Sequence, residues 1–550
     1  MPRNMQDYDA ARASFQWQVP DRFNFAADVV DRFAREADGP ALIWANAAGE
    51  ERTFRFSDMS AASKRAASAL AIRGIGKGDI VLVMTPRIPE WQIAMVACLR
   101  LGAVAIPCIE MLTPKDLAFR INHAGAKGVI CRAAHAAKFD GLLENVTARL
   151  SIGGDAPGFD AWDDALAAAD PEIEAAEVMA DDPAVLYYTS GSTGMPKGVL
   201  HASRGIYAWR GSAEYWLDLG PGDIIWCTAD VGWSKAGTSI LFGPWNMGAC
   251  SFFYDGPFDA AERLRLLAKY HITVYCAPGT ELFRVVDEDV AAHDLSSLRH
   301  TVSAGETLNT VVADRWRQRT GIPVLEAYGQ TETLMTLLNY ACKEVRDGSM
   351  GLPAPGLDIE VIDDEGHLLP PGAEGEIVIR LPVPQLMLGY LKDPERTAEA
   401  ILETPEGKWF RTGDRGERDA DGYFYYRGRR DDVISSSGYR IGPSEVENAL
   451  LDHPAVLECA VIGKRDRERG EIVKAFVVLR ESQEMTDILV REIQDHVKKT
   501  TAPYKYPREV EAVTELPKTL TGKIQRKALR DLEEVRLSEH HSQAPNSDAI

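Results

Sequence analysis

The sequence predicts an α/β protein in two parts: a large N-terminal domain of parallel-sheet α/β subdomains plus a β segment, and a small C-terminal α+β domain. Three observations predict it. Up to about residue 330, short apolar runs bounded by Gly and Pro alternate with stretches whose apolar residues recur at helical spacing. That is the rhythm of βαβ units, parallel strands covered by helices. Near residue 350 the pattern turns into short strands separated by Gly, Pro and Asp turns. Near residue 432 a second, smaller strand-and-helix pattern begins.

Taken in order, residues 59–73 carry Ala, Leu and Ile at helical spacing, and the Gly-rich stretch 74–79 stops them. The run 80–84, with a proline soon after, reads as a buried strand. A helix over 91–102 and a strand over 103–108 follow. The unit repeats at 116–131 and again at 261–276. Residues 184–188 form a strand that runs straight into a loop of Ser, Thr and Gly. Strands at 357–362, 375–380 and 422–427 make up the β segment. The last unit has a helix at 444–451, strands at 456–462 and 473–479, and a helix at 485–499. The charged stretch 427–432 is the expected boundary. It divides an N-terminal domain, 1–430, from a C-terminal domain, 431–535, followed by a polar tail, 536–550.

Hydrophobic residues make up 45% of the chain, enough for several cores, and the formal net charge is −21. So acidic a surface argues against nucleic acid or an anionic membrane as partner. The eight cysteines (Cys98, Cys108, Cys131, Cys227, Cys250, Cys276, Cys342 and Cys459) form no CxxC pair and no Cys/His set with zinc spacing. They read as small buried hydrophobes in a reducing compartment. The N-terminus has Asp7 and Asp9 and no apolar run, unlike a signal or transit peptide. No stretch reaches the ~18 apolar residues of a membrane span. A cytoplasmic protein is the expectation.

The loop after residues 184–188 is Thr189-Ser190-Gly191-Ser192-Thr193-Gly194-Met195-Pro196-Lys197-Gly198. Its hydroxyls, free backbone N–H groups and lysine suit a phosphate cradle. It is not a Walker A loop, which needs Gly immediately before Lys; here that place is Pro196. Further along come Glu326-Ala327-Tyr328-Gly329-Gln330-Thr331-Glu332-Thr333, Arg411-Thr412-Gly413-Asp414-Arg415-Gly416 and Arg427-Gly428-Arg429-Arg430-Asp431-Asp432. After these lie Ser437-Gly438-Tyr439-Arg440 and the segment Pro517 to Lys527 containing Thr521-Gly522-Lys523. Asp419-Ala420-Asp421-Gly422 starts like a calcium loop but lacks the later ligands and reads as a hairpin turn. No Gly-x-Ser-x-Gly elbow or Ser/His/Asp set is present, and none of the eleven histidines is assigned a catalytic role.

These segments, in this order over about residues 50–530, resemble the adenylate-forming superfamily, and within it the AMP-forming, medium-chain acyl-CoA synthetases. The resemblance implies ATP, magnesium and coenzyme A, and a reaction through acyl-AMP with release of pyrophosphate and AMP. It implies that Thr189, Ser190, Gly191, Ser192, Thr193, Gly194 and Lys197 close on the β- and γ-phosphates. Thr331 would contact the α-phosphate and Glu332 would hold magnesium. Gly305, Glu306, Thr307 and Glu326, Ala327, Tyr328, Gly329, Gln330 would wall the adenine site. Asp414 would bind ribose, and Arg429 and Arg440 would bind ribose or phosphate.

The resemblance further implies that the C-terminal domain is mobile about a hinge at Asp431 and presents Lys523 for acyl-AMP formation. In the other half-reaction it would present Ser437, Gly438 and Tyr439 to pantetheine, with Arg469, Tyr506, Pro507 and Arg508 on the nucleotide end of coenzyme A. Trp233 and Gly329 would line the acyl pocket; in acetyl-CoA synthetases a Trp stands at the position of Gly329, so a glycine there implies an open pocket floor. Lys523 is an expected target of lysine-acylating and deacylating enzymes, and a homo-oligomer is compatible with the pattern. Two alternatives stand beside this reading: an acyl-AMP ligase that loads a separate carrier protein, and a non-catalytic nucleotide-binding sensor.

Overall fold

A strand buried on both faces needs apolar residues without alternation. Ile80–Met84 and Val104–Cys108 are apolar throughout and almost wholly buried. They pair in parallel, Met84 opposite Cys108, and Ile80–Met84 pairs in parallel with Gly128–Arg132 on its other side. The structure, a computed structural model, describes residues 3–189, 196–305, 308, 310–363, 365–429, 434–480, 483–517, 524 and 526–542. The chain divides into two units, the first built from Met1–Thr189 and Lys197–Gly428, the second from Arg429–Ile550.

The helices of the first unit start and stop where side-chain chemistry dictates. Pro114–Ala124 begins with Thr113 as N-cap and Asp116 closing a capping box, has Pro at its first position, and ends at Gly125 with φ +69°. Pro89–Arg100 is buried nearly all round. Arg100 at its end has only 1% of its side chain exposed and is matched by a fork on Asp31, with Nη2 and Nη1 at 2.7 and 2.9 Å from the two carboxylate oxygens.

Among the described residues the first unit holds two sheets. The smaller runs Gly389–Tyr390, Lys197–Ala202, Pro183–Thr189, Val104–Cys108, Ile80–Met84, Gly128–Arg132, Ala148–Ile152, Asp160–Ala161. The larger has 14 strands. Its parallel stretch contains Val324–Gln330, His300–Ala304, Val274–Cys276 and Ile224–Cys227, with Cys227 the register partner of Cys276. After Gln330 the chain reverses into Leu334–Leu338, antiparallel to Val324–Gln330, with Leu334 at φ +58° in the tight return. The βαβ rhythm therefore ends where expected, and the β segment follows: Ile359–Ile362, Glu374–Arg380, Gly407–Arg418 and Phe424–Arg429. Asp419 to Gly422 is the turn between the last two of these strands, its two aspartates each 2.6 Å from Arg346.

One local difference from expectation bears on the site. The residues after the glycine loop form a strand, Lys197–Ala202, antiparallel to Pro183–Thr189, with Thr189 opposite Lys197. Lys197 is thus fixed at the start of a ladder. All eight cysteines are free thiols; seven are buried and Cys342 is half-buried.

In the second unit, Val456–Asp466 and Gly470–Leu479 form a long antiparallel pair joined to Ile434–Ser436, Tyr439–Ile441 and Glu509–Ala512. Helices Pro443–Leu451 and Asp487–Thr500 bury Val446, Leu450, Ile493 and Val497 against this sheet. Helix Arg526–Ser542 continues beyond residue 536, where a polar tail was expected. It is held by charges: Lys474 lies 2.8 Å from both Glu511 and Glu533, and Arg536 bridges the same two carboxylates. Arg526 forks onto Glu447 of the first helix.

Candidate functional site

Strands Lys197–Ala202 and Val324–Gln330 bring two motifs of the first unit together. Lys197 Nζ lies 3.0 Å from Glu332 Oε1. Both groups are largely shielded from water, so the attraction is little screened. Burial alone would raise the Glu332 pKa, but the Lys197 charge and hydrogen bond, with a further bond from Tyr390, bring it down to about 2. The carboxylate is ionised at any working pH. Tyr390 was not anticipated from sequence. Its hydroxyl donates to Glu332 Oε1 at 2.9 Å and accepts from Lys197 Nζ at 3.1 Å.

Thr331 is held from two sides. Its carbonyl oxygen accepts from His201 Nε2 at 2.6 Å, and its hydroxyl lies 3.1 Å from Ser234 Oγ. His201 is fully buried, and burial lowers its pKa to about 4, so it is a neutral donor. Neither His201 nor Ser234 was singled out in the sequence. The signal for His201 was available: residues 197 and 201 share one face of a strand, four apart at a period of two. Thr189 Oγ1 is buried and has no hydrogen-bond partner among the described residues.

Asp414 is 1% exposed. Its Oδ2 accepts from Tyr328 Oη at 2.6 Å and Gln330 Nε2 at 2.5 Å, while Gln330 Nε2 also donates to the Thr412 carbonyl at 2.7 Å. Tyr328 and Gln330 at the end of strand Val324–Gln330 thus support the Asp414 carboxylate. Glu326 accepts from Leu308 N at 3.2 Å, and Ala327 is buried opposite Leu338. Gly305 takes φ +95° just after Ala304, whose carbonyl accepts from Lys235 Nζ at 2.8 Å. Trp233 is half-buried and caps the short helix Ser234–Ser239.

Gly329 is corrected. It was expected to open a pocket floor, but a Cβ on it would stand 2.0 Å from the Leu334 carbonyl oxygen and 2.7 Å from Met335 Cα. The register shift between Tyr328 and Gly329 presses the two strands together here. The missing side chain makes room for the neighbouring backbone, so a bulky side chain at this position is not simply interchangeable with glycine.

In the second unit, Ser437 and Gly438 have φ +51° and +80° and form the two-residue turn between Ile434–Ser436 and Tyr439–Ile441. Two successive left-handed residues are the signature of the hairpin turn that matches strand twist. Arg469 Nη1 donates to Ser437 Oγ at 2.9 Å. Arg508 Nη1 donates to Tyr506 Oη at 2.8 Å, and the Arg508 pKa is lowered by burial and by the nearby Arg469 charge. Pro507 O accepts from Gln494 Nε2 at 3.0 Å. Tyr439 stacks on Tyr504 with ring centroids 4.3 Å apart. Arg469 thus joins the turn to Arg508, with Tyr506 and the carboxylates of Asp466 and Glu468 also close to Arg508.

Ser190, Gly191, Ser192, Thr193, Gly194, Glu306, Thr307, Asp431 and Lys523 lie outside the described residues, as do the side chains of Arg429 and Arg440. Among the described residues no group of three His, Cys, Asp or Glu side chains could hold a metal ion. Glu332, ionised and with a hard oxygen, nevertheless suits a cation that takes its other ligands from phosphates and water.

The profile of the AMP-binding enzyme family matches residues 29–391, and that of the AMP-binding enzyme C-terminal domain matches residues 445–523. The Mus musculus protein "Acyl-coenzyme A synthetase ACSM3, mitochondrial" is 40% identical over 97% of this chain and 94% of its own. The Homo sapiens protein "Acyl-coenzyme A synthetase ACSM5, mitochondrial" is 41% identical over 94% of this chain and 91% of its own. The crystal structure of Brucella canis acyl-CoA synthetase is similar at a TM-score of 0.70 and 34% identity, covering 97% of this chain and 100% of that one. The anthranilate CoA ligase AuaEII, solved with anthranoyl-AMP, is similar at 0.69 and 31%, covering 94% and 99%.

These relatives overturn the cytoplasmic expectation, since the mouse and human proteins are named as mitochondrial. The physical reason is that reduced, scattered thiols and an ordinary globular composition do not tell one reducing compartment from another. With both profiles matched in order, and acyl-CoA synthetases about 40% identical over nearly the whole length, the chain belongs to the AMP-binding enzymes, as an adenylate-forming acyl-CoA synthetase that uses ATP and coenzyme A.

Proposed function

We propose that the enzyme activates a medium-chain or similar small carboxylic acid. The acid's carboxylate attacks the α-phosphorus of ATP, forming acyl-AMP and releasing pyrophosphate. The thiol of coenzyme A then attacks the acyl carbon, forming the thioester and releasing AMP. The observation that carries this reading is the chain of contacts Lys197–Glu332–Tyr390 beside Thr331, with Asp414 on the same strand's support.

The residues suit the chemistry. The nucleophile is already an anion and needs no base. The barrier is gathering negative charge at phosphorus and on the leaving pyrophosphate, which donors and positive charge lower. Lys197 supplies charge, the Thr331 and Thr189 hydroxyls supply donors, and Asp414 accepts from the ribose hydroxyls. Glu332 would hold a magnesium ion, which when bound neutralises phosphate charge. Lys523 would serve the first step only, and the patch around Arg469, Arg508 and Tyr506 would take the phosphates of coenzyme A.

The chain-length assignment rests on the motif resemblance and no longer on Gly329. Each extra buried methylene contributes about 0.8 kcal/mol, so four give on the order of 10²-fold in kcat/KM. The test is pyrophosphate release and acyl-CoA formation with ATP, coenzyme A and acetate, butyrate, hexanoate, octanoate and benzoate. Acid-dependent release with butyrate to octanoate ahead of acetate is the expected outcome. A preference for acetate overturns the chain length. Thioester formed only on a phosphopantetheinyl carrier protein overturns coenzyme A as acceptor, and nucleotide binding without any release overturns catalysis.

A further inference from the structure

We infer that Tyr390 is a positioning residue for the nucleotide half-reaction: it holds Glu332 in place while Lys197 moves from carboxylate to phosphate. The inference rests on the roles proposed above for Lys197 and Glu332. In the structure Lys197 Nζ is shared between Glu332 Oε1, at 3.0 Å, and Tyr390 Oη, at 3.1 Å, and stands 4.7 Å from the centre of the Tyr390 ring. An ammonium bound to a carboxylate is not free to neutralise a phosphate, so ATP must draw Lys197 away. Glu332, with 10% of its side chain exposed, would then lose its counter-charge while still shielded from water. The Tyr390 hydroxyl stays. At 2.9 Å it keeps donating to Glu332 Oε1, which fixes the carboxylate and leaves Oε2 to face a cation.

The backbone around Tyr390 fits this task. Gly389–Tyr390 pairs with the strand that begins at Lys197, Tyr390 opposite Val199. Leu388 N and Leu391 N donate to the carbonyls of Leu200 and Gly198, at 2.7 and 2.8 Å. Just before Leu388, Met387 N donates to the carbonyl of Glu332 itself, at 2.9 Å. A single segment is therefore fastened to the lysine strand and to the glutamate together. Tyr390 N is also tied to Thr397 Oγ1 at 2.9 Å.

Tyr390→Phe keeps the ring and removes the hydroxyl; Tyr390→Leu removes both. Three measurements decide: the magnesium concentration for half-maximal ATP binding without acid, acyl-AMP formation by pyrophosphate release, and thioester formation from supplied acyl-AMP. We expect Tyr390→Phe to raise the magnesium requirement about 10-fold, the scale of one hydrogen bond to a charged group. It should slow acyl-AMP formation by a similar factor and spare the thioester step, and Tyr390→Leu should raise the magnesium requirement at least as much. An unchanged magnesium requirement in Tyr390→Phe, or equal loss in both half-reactions, overturns the inference. If wild-type protein releases no pyrophosphate while Tyr390→Phe still shifts the magnesium requirement, the catalytic reading fails and the positioning role stands.

Discussion

Gly329 carries a lesson in what an absent side chain means. Its Cβ direction points into the Leu334 carbonyl, so even alanine must push two strands apart. Gly329→Ala should cost ~1–3 kcal/mol, the scale of overpacking, and should lower both half-reactions together. Urea unfolding measures the first and separate assays the second; a stable variant with altered chain-length preference would return Gly329 to the acyl pocket. Two buried histidines weaken the fold in acid. His201 and His300 each donate Nε2–H to a carbonyl at 2.6 Å, and burial holds both near pKa 4. Unfolded, each takes a proton near 6.5. Between those values the unfolded state binds more protons, so stability is full above about pH 6.5 and falls as pH drops toward 4. Each contributes on the order of 3 kcal/mol to that fall. Unfolding curves from pH 8 to 4 should be shallower in His300→Gln by about one proton; an identical slope would mean that His300 takes up its proton in the folded state.

At the scale of elements, the Ser437-Gly438 turn and the Lys523 segment make opposite predictions. Gly438 has open space around its Cβ position and φ +80°, so Gly438→Leu strains the turn by ~1–2 kcal/mol without a clash in the protein itself. If pantetheine passes there, thioester formation should fail while pyrophosphate release persists. Lys523→Ala should do the reverse, slowing acyl-AMP formation by at least ~10²-fold and leaving the thioester step from supplied acyl-AMP. Losses of equal size in both assays, for either variant, would remove that residue from its assigned step. The same scale explains what could be read from the sequence. Strand Ile80–Met84 was legible to the residue, and helix Pro443–Leu451 within one residue, because apolar runs and helical spacing are local signals. Gly389–Tyr390 was not legible, since a two-residue strand exists only through its partner at Lys197–Ala202. Lys197, Thr331, Glu332 and Asp414 could be chosen because their motifs are contiguous. Tyr390 is 193 residues from Lys197 in sequence, and only pairing brings it near.

For the whole molecule, the division between Gly428 and Arg429 falls in a charged stretch with little to bury, and compartment has no imprint in a folded body. Seven thiols are buried, six of them in the first unit and Cys459 in the second, and only Cys342 is partly open to water. A maleimide added to native enzyme should therefore attach once, at Cys342, and a denatured sample should take eight labels. Mass spectrometry of samples quenched over time then becomes a clock for spontaneous opening. Cys459 reports the second unit and the other buried six the first, each stamped with the moment its part of the protein let reagent in. Early modification at Cys459 before any of those six would mark the second unit as the part that opens first, and simultaneous modification would mark one cooperative event.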